Sequence, residues 1–109
     1  MFYTYKAILT RLIDGDTCLV SLDLGLHVWV HDLRIRLAHL DAPELSTAAG
    51  IVSRDYVAGL VGSLPAPVTV TTIRDRTDNY GRYLGVLTTA TGIEVNQALL
   101  DSGHAVPWP

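Results

Sequence analysis

Apolar and polar positions alternate through the first half of the chain. That is the period of an extended strand, whose successive side chains face opposite ways. Residues 7–13 alternate loosely, with Ile8, Thr10 and Leu12 against Leu9, Arg11 and Ile13. Asp14-Gly15 is a turn signal. Residues 17–22 predict a second strand, and Asp23-Leu24-Gly25 its exit. Residues 28–40 predict the longest strand, with Leu33, Ile35 and Leu37 alternating against Asp32, Arg34 and Arg36. Pro43 ends that run, because it lacks a ladder donor and pushes Ala42 towards extended geometry.

The period then changes. Ala49, Val52, Tyr56, Val57, Leu60, Val61 and Leu64 fall on one face of a helix, with Arg54, Asp55 and Ser63 off it. Pro65 and Pro67 close this helix. Residues 68–73 are rich in β-branched side chains and predict a strand. Residues 74–82 read as a polar loop and residues 83–88 as the strand leaving it. Ala90-Thr91-Gly92 is a turn. Val95, Ala98, Leu99 and Ser102 mark a short second helix, with Gly103 placed to end it. The resulting fold class is mainly β (α+β), with a helix after the third strand and a short C-terminal helix. This order is compatible with a five-stranded OB-fold barrel; an open α+β sheet fits the same string.

Composition narrows the picture. A chain of 109 residues, 49% of them hydrophobic, is expected to form one ordered domain. Its formal charge of −3 gives no global attraction for nucleic acid, so phosphate binding has to come from a local cluster. One cysteine excludes an intramolecular disulfide, and Cys18 sits in an apolar run suited to a core residue. Four scattered histidines and that cysteine lack zinc-ligand spacing. The first residues do not resemble a signal peptide, and no apolar run approaches membrane-spanning length. The expected compartment is therefore the cytoplasm, with no membrane partner. A mature domain cut from a longer precursor would look the same.

The candidate chemistry lies in three short segments. Asp16 follows a tight turn at a strand start, and Asp41 follows a strand end. Two such carboxylates can converge on one hard cation, and Ala42, restricted by Pro43, is placed to add its carbonyl. Glu44 lies three residues beyond Asp41, where another carboxylate beside two ligands suits a water-orienting base. Arg36 and Arg82 offer guanidinium forks that match phosphate oxygens. Each residue also has a plainer reading. Asp14 and Asp16 can be turn residues, Glu44 a solvated acid at a helix approach, and Arg36 the partner of a surface ion pair. Tyr80 and Trp108 can stack on a base or simply pack. His39 takes no role.

These segments resemble the thermonuclease family, the staphylococcal nuclease-like domain. The likeness is carried by Ile13-Asp14-Gly15-Asp16-Thr17, by Arg36-Leu37-Ala38-His39-Leu40-Asp41-Ala42-Pro43-Glu44, by Asp78-Asn79-Tyr80-Gly81-Arg82, and by Val95-Asn96-Gln97-Ala98-Leu99-Leu100 with Gly103. It runs over nearly the whole chain. The resemblance implies an OB-fold, Ca²⁺-dependent phosphodiesterase that cleaves DNA or RNA, single strands by preference, and leaves 3′-phosphate ends. It implies Asp16, Asp41 and the Ala42 carbonyl as calcium ligands, with Asp14 behind them. Glu44 matches the residue that activates or orients water, and Arg36 and Arg82 match the transition-state arginines. Asn79 and Tyr80 fall at substrate-binding positions, Asn79 where some members have a phosphate-contacting lysine. The expected assembly is a monomer, and a bacterial or phage origin suits so compact a version. The chain departs from well-studied members in ending at Pro107-Trp108-Pro109, without their longer C-terminal section. A non-catalytic OB-type module binding nucleic acid or protein is the alternative. Loss of site residues would mark it, and here they are all present.

Overall fold

The computed structural model describes residues 2–77 and 82–108, with the backbone alone at residues 2 and 74–77. The strands are β1 (Phe2–Leu12), β2 (Thr17–Asp23), β3 (Trp29–Leu37), β4 (Leu40–Asp41), β5 (Ala66–Thr77), β6 (Tyr83–Thr89) and β7 (Val106–Pro107). The helices are α1 (Ala48–Val61), between β4 and β5, and α2 (Val95–Asp101), between β6 and β7. Strands β1, β2, β3, β6 and β5 close in that order into a barrel, as expected of an OB-fold, and β4 pairs with β7 beside it. All barrel pairings are antiparallel except β3 with β6.

Alternation along the strands fills the barrel. Ala7 and Leu9 of β1, Cys18, Val20 and Leu22 of β2, Ile35 and Leu37 of β3, Val68 and Val70 of β5 and Leu87 of β6 are all buried in one cluster. Val57 of α1 and Val95 and Leu99 of α2 join it. Each large aliphatic side chain so buried contributes about 1.5–3 kcal/mol relative to exposure. Among the described residues no helix is long and apolar enough to cross a membrane.

Several boundaries differ from the sequence expectation, each for a physical reason. Strand β1 is already paired at Phe2, because residues 2–9 run alongside β5. The long third strand bulges at Asp32, which has a positive φ of 56°. Leu33 pairs with Val20 but Val30 pairs with Leu22, so His31 and Asp32 oppose Ser21 alone and the inward phase resets. That strand stops at Leu37, and His39 turns the chain with a φ of 67° before β4. Strand β5 starts at Ala66 with Pro67 inside it and runs on to Thr77, through residues expected to be loop.

The expected face of α1 packs on the core through Tyr56, Val57, Leu60 and Val61, but the first turns of the helix present a different face. Gly50, Ser53 and Val57 are buried, whereas Ala49 and Val52 are exposed. A Cβ at Gly50 would run into the Glu44 carbonyl. The helix approaches its neighbours through small side chains, which a hydrophobic pattern does not register.

Candidate active site

The β1–β2 turn sets the first acids. The Asp16 N–H donates to Asp14 Oδ1 at 3.0 Å, an Asx turn that fixes the two aspartates together. Between them Gly15 is pressed against α1 and the residue after β4, since a Cβ there would collide with the Ser53 side chain and meet Ala42 Cβ at 3.0 Å. Asp16 itself is buried and joins three segments. Its carbonyl accepts from the Leu37 N–H at 2.8 Å, its Oδ2 from the Ala42 N–H at 3.0 Å, and its Oδ1 from the Thr17 hydroxyl at 3.1 Å.

Arg36 gathers the acids from the other side. Its Nη1 lies 3.3 Å from Asp16 Oδ2 and its Nη2 3.1 Å from Asp41 Oδ1. Nη1 also donates to the Leu37 carbonyl at 3.4 Å and the Leu40 carbonyl at 3.1 Å. The pair with Asp16 is enclosed, with side chains 14% and 8% exposed, while the Asp41 side chain is 48% exposed. One guanidinium therefore holds both carboxylates expected to bind a cation.

This crowding divides the two turn acids. Burial, then the hydrogen bond and negative charge of Asp16, push the Asp14 carboxyl up to about 6. Burial alone would also raise Asp16. Hydrogen bonds from Asp14 and the Ala42 N–H, with the Arg36 charge, overcome it and hold Asp16 below the ordinary carboxylate range. At mildly acidic pH the pair carries a proton on Asp14 and the charge on Asp16.

Arg82 precedes β6, and its Nη1 donates to Thr17 Oγ1 at 3.1 Å. Because Thr17 in turn donates to Asp16, both arginines converge on the same carboxylate. Glu44 is held by its backbone. Its carbonyl accepts from the Thr47 N–H at 3.0 Å and the Thr47 hydroxyl at 2.7 Å, and Thr47 caps α1. The Glu44 side chain is exposed on the approach to that helix. Asn79 and Tyr80 lie outside the described residues. Trp108 is 57% exposed, and its N–H donates to the His39 carbonyl at 3.0 Å. Cys18 is a core residue as expected, its thiol pushed up to about 12 by burial and then by the Asp14 charge.

Sequence reasoning passed over two polar residues that organise this region. Thr17 stands inside the Asp-Gly-Asp-Thr motif, but its bond to Arg82 spans 65 positions of the chain. Asn96, buried on α2, donates to the Ala38 and Gly85 carbonyls, both at 3.1 Å, and accepts from the Leu87 N–H at 3.0 Å. It ties α2 to β6 and to the end of β3 that carries Arg36. A polar residue between Val95 and Leu99 was the available signal.

Residues 34–108 match the staphylococcal nuclease homologue family. The chain belongs to the staphylococcal nuclease family. It is 39% identical over 95 residues to an uncharacterized endonuclease of Escherichia coli, covering 87% of this chain and 56% of that protein. A micrococcal nuclease of Shigella flexneri is 34% identical over 83 residues, covering 76% of this chain and 42% of that protein. Endonuclease YhcR of Bacillus subtilis is 32% identical over 120 residues, 96% of this chain but 9% of that protein. The chain thus spans about half the length, or less, of these curated relatives.

The residues can be tested against the calcium that such a family implies. Among the described residues no group of three or more His, Cys, Asp or Glu side chains forms a ready cage. The available donors are instead the Asp16 and Asp41 carboxylates, already drawn to one cationic group, and backbone beside them at Ala42. Two carboxylates, a carbonyl and water form a hard-oxygen set that suits calcium. The residues fit, with Asp14 fixed beside Asp16 by the turn.

Proposed function

We propose that this domain is a calcium-dependent phosphodiesterase that cleaves DNA or RNA, single strands by preference, and leaves 3′-phosphate ends. The observation that carries this reading is the convergence of Arg36 and Arg82 on Asp16, with Asp41 on the same guanidinium, in a chain of the staphylococcal nuclease family. Its similarity to an endonuclease and to a micrococcal nuclease supports it.

In this reading Asp16, Asp41 and the Ala42 carbonyl hold the cation, and Asp14 supports Asp16 through the turn. When bound, calcium supplies positive charge that polarises the phosphodiester and offsets its developing negative charge. Glu44, exposed two residues beyond Ala42, accepts a proton from water and orients it for in-line attack. Arg36 and Arg82 direct their N–H forks at the phosphoryl oxygens, where charge accumulates in the transition state. Breaking the bond to the 5′ oxygen leaves the phosphate on the 3′ side. Asn79 and Tyr80 contact the substrate strand. The domain acts as a monomer in this reading.

Cleavage is the test. The purified domain is incubated with labelled single-stranded DNA and RNA in calcium, in magnesium and in chelator. The expected result is cleavage in calcium, with 3′-phosphate products and none in chelator. No cleavage in any metal, with binding of the strands retained, would replace the enzyme by a binding module.

A further inference from the structure

We infer that Thr17 is a positioning residue of this site, its hydroxyl fixing where Arg82 stands relative to Asp16. The inference rests on the proposed nuclease reading and extends it to a residue that touches neither substrate nor metal there. Thr17 opens β2, pairs with Arg36 across the ladder and is 3% exposed. Its Oγ1 lies 3.1 Å from Asp16 Oδ1 and 3.1 Å from Arg82 Nη1.

The direction of both bonds is forced. A guanidinium has no acceptor, so Thr17 accepts from Arg82. An ionised carboxylate has no donor, so the single hydroxyl proton points to Asp16. The result is a chain from cation through hydroxyl dipole to anion, in which each bond strengthens the other. The hydroxyl is also a firm anchor, because a β-branched side chain is stiff at χ1. Arg82 has a long side chain that follows a polar segment. An anchor set in the barrel wall lowers the freedom it must lose in reaching the phosphoryl oxygens as charge builds on them in the transition state. The expected signature is an effect on turnover more than on substrate affinity.

Three variants test this in the full chain. Thr17→Val keeps the shape and removes the hydroxyl; kcat should fall roughly tenfold to a hundredfold, the range for a hydrogen bond to a charged group, with KM changing less. Thr17→Ser, which restores the hydroxyl and loses a methyl, should recover most of that loss. In an Arg82→Ala background, Thr17→Val should cost no more than about twofold further, because the residue it positions is gone. A second readout needs neither metal nor turnover. In chelator, the Arg82 side-chain Nη–H resonances should shift and exchange faster in Thr17→Val but not in Thr17→Ser.

Full turnover in Thr17→Val, or losses that simply multiply with Arg82→Ala, would overturn the inference. If the wild-type chain cleaves nothing, the nuclease reading fails by itself, and the resonance decides the positioning role. An unchanged Arg82 signal in Thr17→Val would then reject it.

Discussion

Arg36→Ala is the perturbation with the most to say about how this site is held together. The wild-type guanidinium reaches the Asp16 and Asp41 carboxylates and the Leu37 and Leu40 carbonyls. These contacts do not count equally. The Asp41 side chain is 48% exposed and regains water when Arg36 is lost, so that pair contributes little. The Asp16 side chain is 8% exposed and cannot. Removing one partner of a buried ion pair typically costs about 3–5 kcal/mol, because the other charge stays behind. Asp16 retains donors from Ala42 and Thr17, so the lower end, about 3 kcal/mol, is expected here. Against a total of about 5–15 kcal/mol, the variant should still fold, with a much smaller reserve. Urea unfolding in chelator at pH 7 measures the difference. The pH dependence checks the cause. Asp16 has a folded-state pKa below its unfolded value, so its contribution is present above the unfolded pKa and lost as pH falls through the folded one. The gap between wild type and Arg36→Ala should therefore narrow in acid, where a protonated Asp16 no longer needs the arginine. A gap below about 1 kcal/mol at pH 7, or one that does not change with pH, would refute this reasoning.

Other outcomes follow from the same contacts. The Asp14 carboxyl, raised to about 6, favours its protonated form in the folded state. Its contribution is complete below the unfolded value and is lost as pH rises through about 6. In chelator, wild-type melting temperature should therefore fall across that window and Asp14→Asn should flatten the decline; parallel curves would be the contrary result. Asn96→Ala leaves the buried Leu87 N–H and Ala38 carbonyl without this partner, at a cost of about 3 kcal/mol by urea unfolding. Gln97→Ala, one position away but exposed, should change stability by no more than about 0.5 kcal/mol, and equal effects of the two would remove the special role of Asn96.

Much of the barrel was legible because alternation reports local geometry. Leu33, Ile35 and Leu37 point inward as their pattern requires, and Asp14-Gly15 makes the turn it signals. Alternation says which face is buried and not which strand lies alongside. The β1–β5 pairing that closes the barrel joins residues 57 to 71 positions apart, and the polar end of β5 is held by pairing that local composition does not reveal. The expected face of α1 holds for Tyr56, Val57, Leu60 and Val61 but not at the first turns, where Gly50 is buried against the Glu44 backbone and Ser53 against Gly15, with its hydroxyl donating to the His104 carbonyl. The site divides in the same way. Asp14, Asp16, Arg36 and Asp41 come together from motifs that name them. Thr17 gains its role only when Arg82 crosses from β6, and Asn96 only when α2 docks.

The measurement closest to the central proposal is the single-turnover rate of Asp41→Asn against wild type, on single-stranded DNA with calcium, paired with calorimetric calcium titration. Asp41 is half exposed, so the variant should remain folded and the comparison should report on the site. The expected result is weaker calcium binding together with a rate at least about a hundredfold lower, the scale of losing a transition-state charge stabiliser. Cleavage at the wild-type rate with unchanged calcium affinity would contradict the assignment of this strand end as the metal site.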